Sequence, residues 1–176
     1  MALPQRAVGA PAPVELRNVA RPVSLAGERT LQVLPALESL LPDAGLRRGS
    51  TVAVAPAEPG PFGATSVLLA LLAGASVAGS WCAVVGMPSL GLVAAAELGI
   101  ALDRLALVPD PGPDWPAVVA ALLDGIDVVA AAPPGPVSAP LAGRLAARVR
   151  QRGSVLVGYG RCRRSARNCT QAEVVG

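Results

Sequence analysis

The chain has 176 residues, of which 52% are hydrophobic and 2% aromatic, with 15 arginines, 12 acidic residues and neither lysine nor histidine, for a net charge of +3. That length suits one domain with a sizeable core, and the core has to be packed from Ala, Val and Leu rather than aromatic rings. Three cysteines without a histidine exclude a disulfide framework and leave Cys162 and Cys169 unable to close a tetrahedral zinc shell; Cys82 reads as a small buried hydrophobe.

Residues 1–30 are rich in proline and scattered in charge, and are expected to form a flexible arm. Met1–Pro22 lacks the apolar core of a secretory signal. From Leu31 to Leu41 the leucines at 31, 34, 37, 40 and 41 follow helical spacing, and Pro42-Asp43-Ala44-Gly45 breaks the chain. Beyond this point short strands and helices alternate. Strands are expected at 51–55, 80–86, 104–108, 126–132 and 154–158, and helices at 64–78, 90–98, 115–124 and 138–152. Asp114 is placed to cap the third of these helices, with Pro116 in its first turn. The domain is expected over 31–160, followed by a basic, disordered tail at 161–176.

Such alternation with short connections predicts an α/β fold, a parallel sheet flanked by helices on right-handed crossovers, with ligands beyond the carboxyl ends of the strands. No charge occurs from Pro59 to Ala96, yet Gly74, Gly79, Gly86, Pro88 and Gly91 divide that run into helix-sized and strand-sized pieces. A membrane span is not expected there, and a cytoplasmic location is.

After the first of these strands comes Glu58-Pro59-Gly60-Pro61-Phe62-Gly63-Ala64-Thr65-Ser66, the frame of a phosphate loop without its chemistry. A working loop reads G-x-x-x-x-G-K-[ST], its amides cradling phosphates and its lysine reaching the β/γ oxygens. Here Glu58 replaces the first glycine and Ala64 the lysine. Gly60, Gly63, Thr65, Ser66 and the following helix N-terminus remain candidates for weak anion binding, although Pro59 and Pro61 remove two backbone donors. The strand at 126–132 ends in Ala132 and Pro133 where a magnesium-binding carboxylate is wanted, and Asp127 at its start reads as a solvated residue. Without lysine, metal ligand or base, phosphoryl transfer lacks its electrostatic supports, so neither catalysis nor ATP binding is expected and no cofactor is assigned.

Between Val128 and Ala172 there is no acidic residue, while eight arginines fall there. Arg144, Arg148 and Arg152 share one helix face, and Arg163 and Arg164 follow in the tail. These residues are candidates for contacting DNA or an acidic partner surface. No aromatic residue is interleaved to stack bases.

Several segments resemble the RecA superfamily, and more closely the actinobacterial ImuA-like mutagenesis accessory group. Leu34–Leu41 and Gly45–Val52 resemble the lead-in to the RecA phosphate loop, and Gly63-Ala64-Thr65 sits where Gly-Lys-Thr would. Cys82–Val85 and Ala96–Leu105 resemble the strand, helix and turn that follow. Ala78–Gly86, Gly91–Gly99 and Trp115–Gly125 carry the likeness to the ImuA-like group. In this comparison Pro88 lies near the position of the catalytic glutamate and Ala132 at that of the Walker-B aspartate. The resemblance implies a RecA-like, P-loop NTPase-type sheet with a degenerate phosphate loop, shortened at its C-terminal end relative to RecA. It also implies a non-catalytic accessory role in damage-induced (SOS) mutagenesis and translesion DNA synthesis. The partners implied are an inactive Y-family polymerase homologue and an error-prone replicative-type DNA polymerase. Two other readings stay open: a cell-division inhibitor similar to SulA, and a weak nucleotide-binding switch.

Overall fold

The computed structural model describes residues 29–55, 63–160 and the backbone of 169–171. Its elements in chain order are β1 (Thr30–Leu31), α1 (Pro35–Glu38), β2 (Leu46–Arg47), β3 (Thr51–Val54), α2 (Ala64–Val77), β4 (Cys82–Val85) and α3 (Leu92–Glu97). There follow β5 (Leu105–Val108), α4 (Trp115–Leu122), β6 (Val128–Ala131), α5 (Ala139–Arg152), β7 (Val155–Tyr159) and β8 (Cys169–Gln171).

Strands β3 to β7 form a parallel sheet, extended by β8 to the order β5-β4-β6-β7-β3-β8. The expected α/β class is therefore observed. Alternate residues of each strand serve opposite faces. Val52, Val54, Cys82, Val84, Val128, Ala130, Val155 and Val157 join the core beneath α2, while Ala83, Val85, Val129, Ala131 and Leu156 pack with α4 and α5. Both faces are covered, which is why β4 and β6 read as unbroken apolar runs and are buried along their whole length.

Helix α2 is apolar on nearly every side and is correspondingly buried at Leu68, Leu69 and every position from Leu71 through Ser76. Its Gly74 lies directly against the backbone of Val33, where a Cβ would collide. Ser76 is buried, and its hydroxyl accepts the amide of Ala101 at 2.9 Å. Among the described residues no helix is long and apolar enough to cross a membrane. The uncharged run is divided between α2, β4 and the segment leading to α3.

The helix expected over Leu31–Leu41 is not there. Leu31 pairs with Leu46 in an antiparallel β1–β2 ladder, and the helix is confined to Pro35–Glu38. Leu31 and Val33 are buried with Gln32 exposed between them, a period of two, whereas Leu40 is 52% exposed. Packing against α2 holds the chain extended up to Leu34, and Pro35 then supplies the first helical turn. Helix α3 is also shorter than expected. Asp114 occupies the N-cap of α4, but its side chain makes no capping hydrogen bond. Pro116 does sit in the first turn. Within the segment expected to lack regular structure, Cys169–Gln171 pairs in parallel with Thr51–Ala53.

Candidate functional site

Strand β3 ends beside β7, with Val54 opposite Tyr159, and the chain re-emerges at Gly63 as the N-cap of α2. Gly63, Thr65 and Ser66 therefore lie at the carboxyl edge of the sheet, as expected; Glu58, Pro59, Gly60 and Pro61 fall outside the described residues. Gly63 has φ +88°, a conformation that a side chain resists, and provides no cap of its own. Ala64, at the lysine position, is 5% exposed and packed into the core. The Thr65 hydroxyl, at the position that would ligate magnesium, is hydrogen-bonded to the Tyr159 hydroxyl at 3.0 Å. Ser66 is exposed.

Tyr159 was not among the residues singled out from the sequence. The available signal was its place at the end of the expected strand 154–158, as the single tyrosine of the chain. Ala64 is buried, Thr65 is engaged by the protein itself, and Gly63–Ser66 brings no charged group to this edge of the sheet.

The chain leaves β4 toward β5 and leaves β6 in the opposite direction toward β7, so the sheet has a topological switch point between β4 and β6. Gly86 follows β4 and Ala132 follows β6. Gly86 (φ +79°) approaches the Ala132 carbonyl so closely that a Cβ would overlap it. The amides of Gly86 and Ala132 donate to Val108 O and Val85 O, each at 2.9 Å. The crevice is thus narrowed by backbone, and Ala132 brings no carboxylate to it. Pro88 lies just beyond, in the turn before α3.

Asp127 lies at the opposite edge of the sheet, at the entry to β6 and partly exposed as expected, but it is also bound by two other segments. Arg48 Nη1 donates to its Oδ1 at 2.8 Å, and the Trp81 amide donates to its Oδ2 at 3.0 Å. One carboxylate thereby ties the lead-in to β3, the start of β4 and the start of β6. The reason is positional: all three strands begin at this edge, and Arg48 and Trp81 precede their strands as Asp127 precedes β6. Nearby Cys82 is fully buried, and burial, aided by Asp127 and opposed by Arg104, pushes its thiol up to about 12. The thiol is protonated and inert, in line with its reading as a small hydrophobe.

Arg144, Arg148 and Arg152 do lie along one side of α5, but they are not equivalent. Asp124, just after α4, accepts both Nε (2.8 Å) and Nη2 of Arg148, and Nε of Arg152 at 3.1 Å. The Arg148 hydrogen bond, with the charges of Arg148 and Arg152, holds the Asp124 carboxyl below its usual range, and Asp124 raises Arg148 in turn. Arg144 is exposed and ion-paired with no carboxylate among the described residues. Arg163 and Arg164 fall outside the described residues.

Residues 39–164 match the family described as MT3502 N-terminal domain. An uncharacterised protein of Mycobacterium tuberculosis, Rv3395c, is 45% identical over 96 residues, which are 54% of this chain and 47% of that protein. The chain thus spans about half the length of the curated relative it matches. With the greater part of the described fold inside the matched range, the chain belongs to the MT3502 N-terminal domain family.

Proposed function

We propose that the protein is a non-catalytic accessory factor of damage-induced (SOS) mutagenesis and translesion DNA synthesis. In this reading a RecA-like domain, stripped of ATPase chemistry, docks on an inactive Y-family polymerase homologue and an error-prone replicative-type polymerase. The observation that carries the non-catalytic part lies at the start of α2: Ala64 is buried and the Thr65 hydroxyl is held by Tyr159 rather than left open to a metal–nucleotide complex. The RecA-like part is supported by the parallel sheet whose loop strand, β3, is internal, flanked by β7 and β8 from the end of the chain. The accessory role itself rests on the resemblance of Ala78–Gly86, Gly91–Gly99 and Trp115–Gly125 to the ImuA-like group. The test is affinity purification of the tagged chain from damaged and undamaged cells, with mass spectrometry of the retained proteins. Polymerase-like proteins, enriched after damage, are the expected result; division proteins, or no specific partner, would overturn the reading.

A further inference from the structure

The parallel sheet has a lateral edge at β5. The Val108 carbonyl accepts the Gly86 amide, so Ala106 and Val108 turn their backbone groups to β4, while the alternate residues Leu105 and Leu107 turn theirs away from the sheet. The Leu105 amide is already given to the Leu102 carbonyl, and Pro109 has no amide to give. What stays open is one complete donor and acceptor set, the N–H and C=O of Leu107, with no backbone partner among the described residues. Leu107 is 39% exposed, and it lies on the face that carries α2 and α3, since Ala106 and Val108 pack with the opposite core. Helix α3 buries only Ala95; Leu92 and Val93 within it, and Leu98 and Leu102 after it, are exposed.

Charges of opposite sign flank this strand. Arg104 stands before it and Asp110 after it, each three positions from Leu107. Neither is in an ion pair among the described residues; the Arg104 Nε has no partner there, and Asp110 accepts the Gly112 amide at 3.4 Å. In an antiparallel pair with a twofold axis at Leu107, positions equidistant from 107 face each other, so Leu107 meets Leu107 and Arg104 meets Asp110 of the second copy, twice. We infer that β5 is the docking edge for β5 of a second copy of this chain, which continues the sheet across a twofold axis. Two N–H to C=O bonds at Leu107 set the register, two Arg104–Asp110 pairs close the ends, and the exposed apolar side chains on the α3 side flank the axis. The Arg104 guanidinium lies beside Gly79 and turns outward to pair, which costs its Nε no hydrogen bond among the described residues. An unrelated extended strand matches the edge less well, because a row with Arg at one end and Asp at the other is complementary to its own reverse. The inference does not rest on the mutagenesis reading.

The test is sedimentation equilibrium of the full chain over a micromolar concentration series, with far-UV circular dichroism to establish that each variant is folded. The wild type is expected to reach twice the monomer mass as concentration rises. Arg104→Asp and Asp110→Arg are each expected to weaken the dimer about tenfold, because like charges then stand opposite one another. Combining the two substitutions in one chain is expected to restore it, and an equimolar mixture of the single variants is expected to associate more tightly than either alone. Leu107→Pro removes the open amide at a position where an edge strand tolerates proline, and is expected to abolish the dimer. A monomeric wild type, a dimer indifferent to either charge reversal, or a double variant no tighter than the single ones would overturn the inference. If Leu107→Pro does not fold, the charge exchange decides alone.

Discussion

Replacing Gly86 by Ala is expected to destabilise the fold by two separable terms. The φ of +79° forces an alanine into the left-handed region, at a cost of about 1–2 kcal/mol. The new methyl also overlaps the Ala132 carbonyl oxygen, and overpacking of this kind costs about 1–3 kcal/mol. The sum, about 2–5 kcal/mol, is a large share of a domain stability of about 5–15 kcal/mol. Gly63→Ala is the built-in comparison. Gly63 has a similar φ of +88° with nothing among the described residues within 4 Å of its would-be Cβ, so only the first term, about 1–2 kcal/mol, applies. Urea unfolding followed by far-UV circular dichroism measures both variants. The midpoint of Gly86→Ala is expected to fall well below that of Gly63→Ala, with the slope m unchanged in each. Equal losses in the two variants would refute the close approach between the ends of β4 and β6.

Asp127→Ala removes the partner of Arg48 and the acceptor for the Trp81 amide together, and is expected to cost about 1–3 kcal/mol by urea titration. A change within error would mean that the three-strand tie contributes nothing. The depressed Asp124 carboxyl makes a pH prediction. Its folded form titrates below its unfolded form, so its contribution is complete above the unfolded value, near pH 4, and is lost as pH falls through the lower folded value. Asp124→Asn is therefore expected to flatten the acid limb of the unfolding midpoint against pH, and an unaltered limb would contradict the Arg148 and Arg152 pairing.

The parts of the fold set by nearest neighbours were the legible ones. The five core strands and the helices at 64–78, 115–124 and 138–152 were placed within a few residues, because doubly covered strands and buried helices write long apolar runs punctuated by glycine and proline. Leu31–Leu41 misled because its helical spacing was local, whereas Val33 is held extended by a distant glycine of α2. At the loop, the replacement of lysine by Ala64 was plain in the sequence. The bond from Thr65 to Tyr159, 94 positions away, was not, since nothing in either neighbourhood encodes which strand ends face each other. The same limit applied to the arginines of α5: their shared side followed from helical period, but the claim that Asp124 lays on two of them needed the adjacency of α4 and α5.

The internal position of β3 has a consequence for the order in which the sheet is built. Its neighbours, β7 and β8, are synthesised roughly a hundred residues after it, so on the ribosome its amides and carbonyls wait without a ladder until nearly all of the described chain has emerged. Closing so large a loop is costly, and sheets that depend on such pairings assemble late. Strands β4, β6 and β5 are able to pair among themselves earlier, which leaves the strand that carries the loop as the last piece to be inserted and an exposed apolar segment in the meantime. The vulnerability that this topology builds in falls in the interval of synthesis during which β3 has no partner.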